Sequence, residues 1–229
     1  CSHSAVNGTW SNAKRHRQRS TCSGEYLTIM SDHASRSRLF IAVDLSAVVR
    51  HTVIKISASI AESLTIKGGP RISWVRPRNL HVTVRFLGSV HPIVMERLRT
   101  LLVRPWLVEA FDLELATAVT VPSSGTPRVV WLGVRDRSSG FDRLMPELNK
   151  RLHAAGVVQN QMRFVPHVTV GRVRRAPQRG RMIRDAVQDI GVEAVRWQVK
   201  HLTLYESHMA SSTPDYVPQA TGVLRAVAP

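Results

Sequence analysis

The tetrapeptide His-Val-Thr-Val occurs twice in this chain, at His81-Val82-Thr83-Val84 and at His167-Val168-Thr169-Val170. Both copies lie inside apolar, β-branched runs, Leu80 to Leu87 and Phe164 to Val173, which read as strands. Successive side chains of a strand point to opposite faces. His81 and Thr83 therefore share one face, with Val82 and Val84 on the other, and His167 and Thr169 repeat the arrangement. The fold must bury both valine faces and leave both imidazole–hydroxyl pairs at a surface. If the pairs face one cleft, two proton-transfer groups and two hydroxyls surround one reacting atom.

The elements around the copies set the fold class. Arg38 to Asp44 reads as a buried strand. Ser46 is placed to cap a helix on which Val49, Val53, Ile56, Ile60 and Leu64 recur at helical spacing. Ile72 to Val75 is a short extended piece before the first His strand. Pro92 suits the first turn of a second helix, and Pro105 stops it. Phe111 to Val121 and Val129 to Val134 read as strands. A third helix starts near Phe141, and Gly156 is its C-terminal stop. After the second His strand come a short helix (about 180–190), a strand-like stretch from Val192 to Tyr205, a polar loop from Glu206 to Asp215, and a last strand from Tyr216 to Val223. Each half of the sequence supplies one His-Val-Thr-Val strand. The expected fold is α+β and bilobal, with two pseudo-symmetric lobes, each an antiparallel sheet with flanking helices, and an active groove between them.

Composition narrows the chemistry. The only cysteines of the 229 residues, Cys1 and Cys22, lie near the N-terminus. The rest of the chain has no thiol nucleophile and no Cys-ligated zinc. No Asp, Glu or Cys stands within three residues of either His strand, so the usual partners of His in metal sites are missing nearby. The expectation is no metal and no cofactor. The formal net charge is +16, of which residues 1–36 contribute only +3. A folded part this basic favours a polyanion, nucleic acid above all. The arginines between Arg172 and Arg184 read equally as a solvated basic face or as a face for an RNA backbone.

Residues 1–36 read as a disordered basic N-terminal extension and 37–229 as the folded domain. Met30 precedes the first strand closely and reads as the natural start, with 1–29 an upstream extension; the alternative is a basic arm that helps hold RNA. No apolar run approaches the length of a membrane helix and no continuous apolar h-region stands at the N-terminus, so a cytoplasmic protein, monomeric and without a membrane partner, is the expectation.

Two histidines can divide acid and base work near neutral pH, while threonine hydroxyls hydrogen-bond the oxygens of a phosphoryl group as charge develops on them. His51, His91, His153, His201 and His208 have no matching partner and read as solvated or satisfied. Trp131, Phe40 and Tyr205 read as core in preference to base-stacking platforms. By strand parity Arg85 falls on the His81 face, within reach of phosphate. Arg172, at an odd offset from His167, falls on the opposite face unless a bulge intervenes.

The two motifs, with Arg38-Leu39-Phe40-Ile41-Ala42-Val43-Asp44, Arg128 to Val134 and Leu202 to Ser207, resemble the 2H phosphoesterase superfamily, and more closely its RNA 2′,3′-cyclic phosphodiesterases, the 2′-5′ RNA ligase family. The resemblance covers about residues 37–227. It implies metal-independent hydrolysis of a terminal 2′,3′-cyclic phosphate on RNA to a 2′-phosphomonoester, with possible reverse 2′-5′ ligation. It implies His81 as proton donor, His167 as proton acceptor, and Thr83 and Thr169 on the phosphate oxygens. Arg172 matches an arginine common in the family. Arg85 stands where relatives often have Lys, and Gly171 where they often have Ala. The competing readings are a phosphodiesterase for 2′-5′ oligonucleotides or other nucleotide phosphodiesters, and a non-catalytic module that binds RNA ends.

Overall fold

A computed structural model describes residues 36–157, 164–174, 179–210 and 213–227. Apart from Arg36, the expected N-terminal extension lies outside these residues. The elements in chain order are β1 (Ser37–Asp44), α1 (Ala47–Ile66), β2 (Ile72–Trp74), β3 (His81–Val90), α2 (Pro92–Val103), β4 (Phe111–Val121), β5 (Val129–Asp136), α3 (Gly140–Ala154), β6 (His167–Val173), α4 (Gly180–Gln188), β7 (Arg196–Val199), β8 (His201–Ala210) and β9 (Thr213–Val223). A 3₁₀ turn, Pro77–Asn79, leads into β3.

The strands form one curled antiparallel sheet in the order β7-β4-β5-β6-β3-β1-β8-β9, with β2 also on β6. Its two halves meet at a narrow seam, where β3 and β6 share the single pair Val82–Val168. The half with β6 carries β7, β4, β5 and β2; the half with β3 carries β1, β8 and β9. The α+β, two-lobed expectation holds, but the lobes are not the two halves of the sequence. The C-terminal hairpin returns to pair with β1. That return splits the expected strand 192–205. Its first part pairs with β4 as β7 and its second with β1 as β8, and Lys200 marks the crossing between lobes. The expected loop Glu206–Asp215 is instead mostly strand, because β8 and β9 keep pairing through Ser207–Tyr216 and His208–Asp215.

Among the described residues, the helices pack on the valine face of the sheet. The valines of both repeats, Val82, Val84, Val168 and Val170, join the helix residues Val49, Val53, Ile60, Leu98, Leu144, Leu148 and Ile183 in one core. Burial of this set is the main drive for folding. The caps agree with the sequence. Ser46 Oγ accepts from the Val49 amide. Gly156 adopts φ +87°, and its amide and that of Val157 close on His153 and Leu152, a left-handed helix stop. The uncovered face is left for chemistry.

Candidate active site

Residues paired across an antiparallel ladder share a face, so the register identifies what lines the open face. On β3 and its neighbours these are Asp44–His81, Ala42–Thr83 and Phe40–Phe86, with Thr203 and Tyr205 from β8. On the other side of the seam they are Gly133–His167, Trp131–Thr169 and Val129–Arg172. Antiparallel pairing through Val82–Val168 sets His81 level with Thr169, and Thr83 level with His167. The register therefore brings the four predicted residues to one stretch of the seam.

Each histidine is held in the same way. The carbonyl two residues earlier accepts from its Nδ1: Asn79 O for His81 and Val165 O for His167, both at 2.7 Å. A carbonyl can only accept, so Nδ1 carries the proton and Nε2 is the titrating atom on both rings. His81 Nε2 is 2.9 Å from Thr83 Oγ1. The Asn79 carbonyl is itself fixed, since Asn79 is buried and its Nδ2 donates to Pro214 O at 2.8 Å. Arg50 of α1 ties down the same turn by donating to Pro77 O.

Aromatic rings wall both imidazoles. Phe40 stacks on His81 at 4.9 Å, and Tyr216 meets its edge at 5.4 Å. Trp131 lies flat on His167, centroids 3.9 Å apart and planes 15° apart. Both histidine pKa values are held below the ordinary value, in each case chiefly by burial, which disfavours the cation. For His81 the Asn79 carbonyl and the Asp44 carboxylate oppose the fall, while His167 and Arg50 add to it. For His167 the Val165 carbonyl opposes it. Asp44 also accepts from Tyr205 OH at 2.7 Å and Thr203 Oγ1 at 3.0 Å. Burial and then that bond to Asp44 push the Tyr205 phenol well up, so it stays a neutral donor.

The arginine expectations are exchanged by two β-bulges. In β3, Thr83 pairs with Ala42 but Arg85 with Ile41, leaving Val84 as an extra residue. Arg85 thus turns to the helix side, where its Nη2 donates to Asn149 Oδ1 of α3 at 2.9 Å. The expectation that Arg85 faces the site is corrected; strand parity does not survive an inserted residue. Phe86, 75% exposed, takes the open face in its place. In β6 the same event leaves Val170 extra and brings Arg172 round to the open face with His167. Its charge is felt at the Tyr216 phenol, whose raised pKa is due first to burial. The bulges sit at the same place in the two repeats, so Phe86 and Arg172 occupy equivalent positions.

Asp44, Trp131, Tyr205 and Tyr216 are site residues beyond the predicted set, and Trp131 and Phe40 lie against the histidines instead of in core alone. Among the described residues no three His, Cys, Asp or Glu side chains gather as a metal set. None of the described helices is long and apolar enough to cross a membrane.

Fold and site together define an α+β protein whose curled antiparallel sheet carries two His-x-Thr strands on its helix-free face. The chain belongs to the 2′-5′ RNA ligase superfamily, whose family model matches residues 48–210. The RNA 2′,3′-cyclic phosphodiesterase of Thermotoga maritima is 31% identical over 185 residues, 78% of this chain and 91% of that protein. The crystal structure of Escherichia coli LigT complexed with 3′-AMP superposes with a TM-score of 0.60 at 29% identity, covering 82% of this chain and 98% of that one. TT0787 of Thermus thermophilus shares the fold, with a TM-score of 0.67 at 24% identity over 82% of this chain and 98% of that one.

Proposed function

We propose that this protein hydrolyses the 2′,3′-cyclic phosphate at the end of an RNA, without a metal, to a 2′-phosphomonoester. The observation that carries the reading is the matched pair of imidazoles, each with Nδ1–H committed to a carbonyl, which leaves Nε2 as the atom that exchanges a proton. The names of the relatives support the same activity. His167, neutral, takes a proton from water as the water oxygen attacks phosphorus. His81, protonated, gives its Nε2 proton to the departing 3′ oxygen. Thr83 and Thr169 donate to the non-bridging oxygens, where charge accumulates, and Arg172 adds a cation on the same face. Asp44 supports this division of roles: its carboxylate favours the protonated form of His81, and the corresponding place opposite His167 is Gly133. With a 5′ hydroxyl in place of water as the nucleophile, His167 taking its proton and His81 again protonating the departing 3′ oxygen, the same groups would join a 2′,3′-cyclic end to that hydroxyl as a 2′-5′ linkage.

The test is an oligonucleotide ending in a 2′,3′-cyclic phosphate, incubated with the protein and EDTA. The expected product carries its phosphate on the 2′ oxygen. His81→Ala and His167→Ala should each lose about 10²- to 10⁴-fold in rate with unchanged circular dichroism. A 3′-phosphate product, abolition by EDTA, or near-normal turnover in either variant would sink the two-histidine mechanism.

A further inference from the structure

A second feature of the open face has no part in the chemistry above. Glu114 of β4 is almost fully enclosed, its side chain 5% exposed, and three arginines converge on it. Arg196 Nε lies 2.8 Å from Oε2; Arg137 Nη2 and Arg135 Nη1 lie 3.1 and 3.6 Å from Oε1. The arginines are 69%, 61% and 54% exposed. One carboxylate thus anchors three guanidiniums whose remaining N–H groups face solvent, and two of the three positive charges are uncompensated by it. One cation balances the charge of a carboxylate; three solvent-facing guanidiniums on it concentrate positive potential on the sheet.

The register says where this shelf lies. Arg135 pairs with Glu114 and Glu114 with Arg196. Arg135 is two residues beyond Gly133, which is opposite His167, so it stands about 7 Å further along the same face. The neighbouring helix-side residue Asp136 instead caps α3 through the Gly140 and Phe141 amides. Strands β3 and β5 are both antiparallel to β6, hence parallel in direction. Phe86 on β3 and Arg135 on β5 therefore lie towards the same end of the groove, and Arg172 on β6 towards the other. Asp112, the next acid on that face of β4, lies beyond Glu114 on the side away from the histidines.

We propose that Arg135, Arg137 and Arg196, held on Glu114, form a subsite for backbone phosphate of the RNA strand 5′ to the cyclic end. The inference rests on the proposed activity and adds to it a preference for oligonucleotides over mononucleotides. Guanidiniums with free, forked N–H groups suit a phosphodiester, and backbone contacts of this kind carry affinity without reading sequence.

The test compares a nucleoside 2′,3′-cyclic monophosphate, which has no upstream phosphate, with a pentanucleotide ending in the same group. In Arg135→Gln/Arg196→Gln the neutral donors and Arg137 remain on Glu114. Here kcat/KM on the pentanucleotide should fall about tenfold to hundredfold, while the mononucleotide is turned over as by the unaltered protein. The log–log salt dependence on the pentanucleotide should flatten by about one for each phosphate deprived of its arginine. Equal losses on both substrates, or no loss on the longer one, overturn the subsite. Arg137→Gln, a single exposed change, repeats the comparison if the double variant melts early. Failure of the unaltered protein to turn over either substrate overturns the proposed activity itself, an outcome distinct from those.

Discussion

Trp131 offers the sharpest test of how the site is held. Its ring covers His167 at 3.9 Å, nearly parallel, and so does two things. It fixes the imidazole plane together with the Val165 carbonyl, and it keeps water off one side of the ring. In Trp131→Ala both are lost. A stacked aromatic pair contributes about 0.5–1.5 kcal/mol beyond the area it buries. If that energy goes into holding His167 in the attacking geometry, kcat/KM falls about twofold to tenfold. The second effect has a sign. Burial is the largest cause of the depressed His167 pKa, so uncovering the ring moves the pKa up, towards the ordinary value of about 6.5. As the base, His167 must be neutral, and activity is lost as pH falls through its pKa. The acidic limb of the kcat/KM profile should therefore move to higher pH, and the basic limb should stay. The assay is kcat/KM against pH on a nucleoside 2′,3′-cyclic phosphate for the unaltered protein, Trp131→Ala and Trp131→Phe, the last retaining a stacked ring. If Trp131→Ala changes neither the rate nor the acidic limb, or shifts the basic limb instead, the stack does not position the base.

Three further outcomes are expected. Asp44→Asn removes the carboxylate that favours the His81 cation, so the His81 pKa falls further; with His81 as the acid, the basic limb of kcat/KM moves to lower pH, and movement of the acidic limb would reverse the assignment. Arg151→Ala should cost about 3–5 kcal/mol in urea unfolding. The buried guanidinium caps α2 through Leu101, Arg104 and Pro105 carbonyls, pairs with Glu147 and stacks over Trp106 at 3.9 Å. Gly171→Ala should cost about 1–3 kcal/mol by overpacking, because its Cβ would stand 2.6 Å from Ile72 Cγ2 and 3.2 Å from the Trp74 ring; Ile72→Ala should recover part of that loss, a non-additivity that a double-mutant cycle measures.

The residues that sequence reading placed well are those whose position depends only on local periodicity. His81, Thr83, His167 and Thr169 lie ahead of any irregularity in their strands, so alternation assigns their face correctly. Arg85 and Arg172 lie just past one, and alternation assigns both to the wrong side. Nothing in Val84 or Val170 announces a bulge, since the extra residue exists only relative to the partner strand. Trp131 looked like core because its run, Val129 to Val134, is apolar throughout; only its register against Thr169 puts the ring on the open face. Asp44 and the arginines about Glu114 were out of reach for the same reason, being brought to their places by cross-strand partners distant in sequence.

By itself, then, the sequence determined which groups are offered for the proposed chemistry. A repeated imidazole–hydroxyl pair on an amphipathic strand, in a basic chain whose few cysteines lie far from it, admits few other uses. Tertiary structure decided everything that depends on pairing. It joined the two repeats through Val82 and Val168, returned the C-terminal hairpin to the first lobe, and reset strand parity so that Phe86 and Arg172, not Arg85, flank the histidines. Side-chain alternation is a property of one strand, whereas register and bulges are properties of two, and a single strand carries no record of its partner.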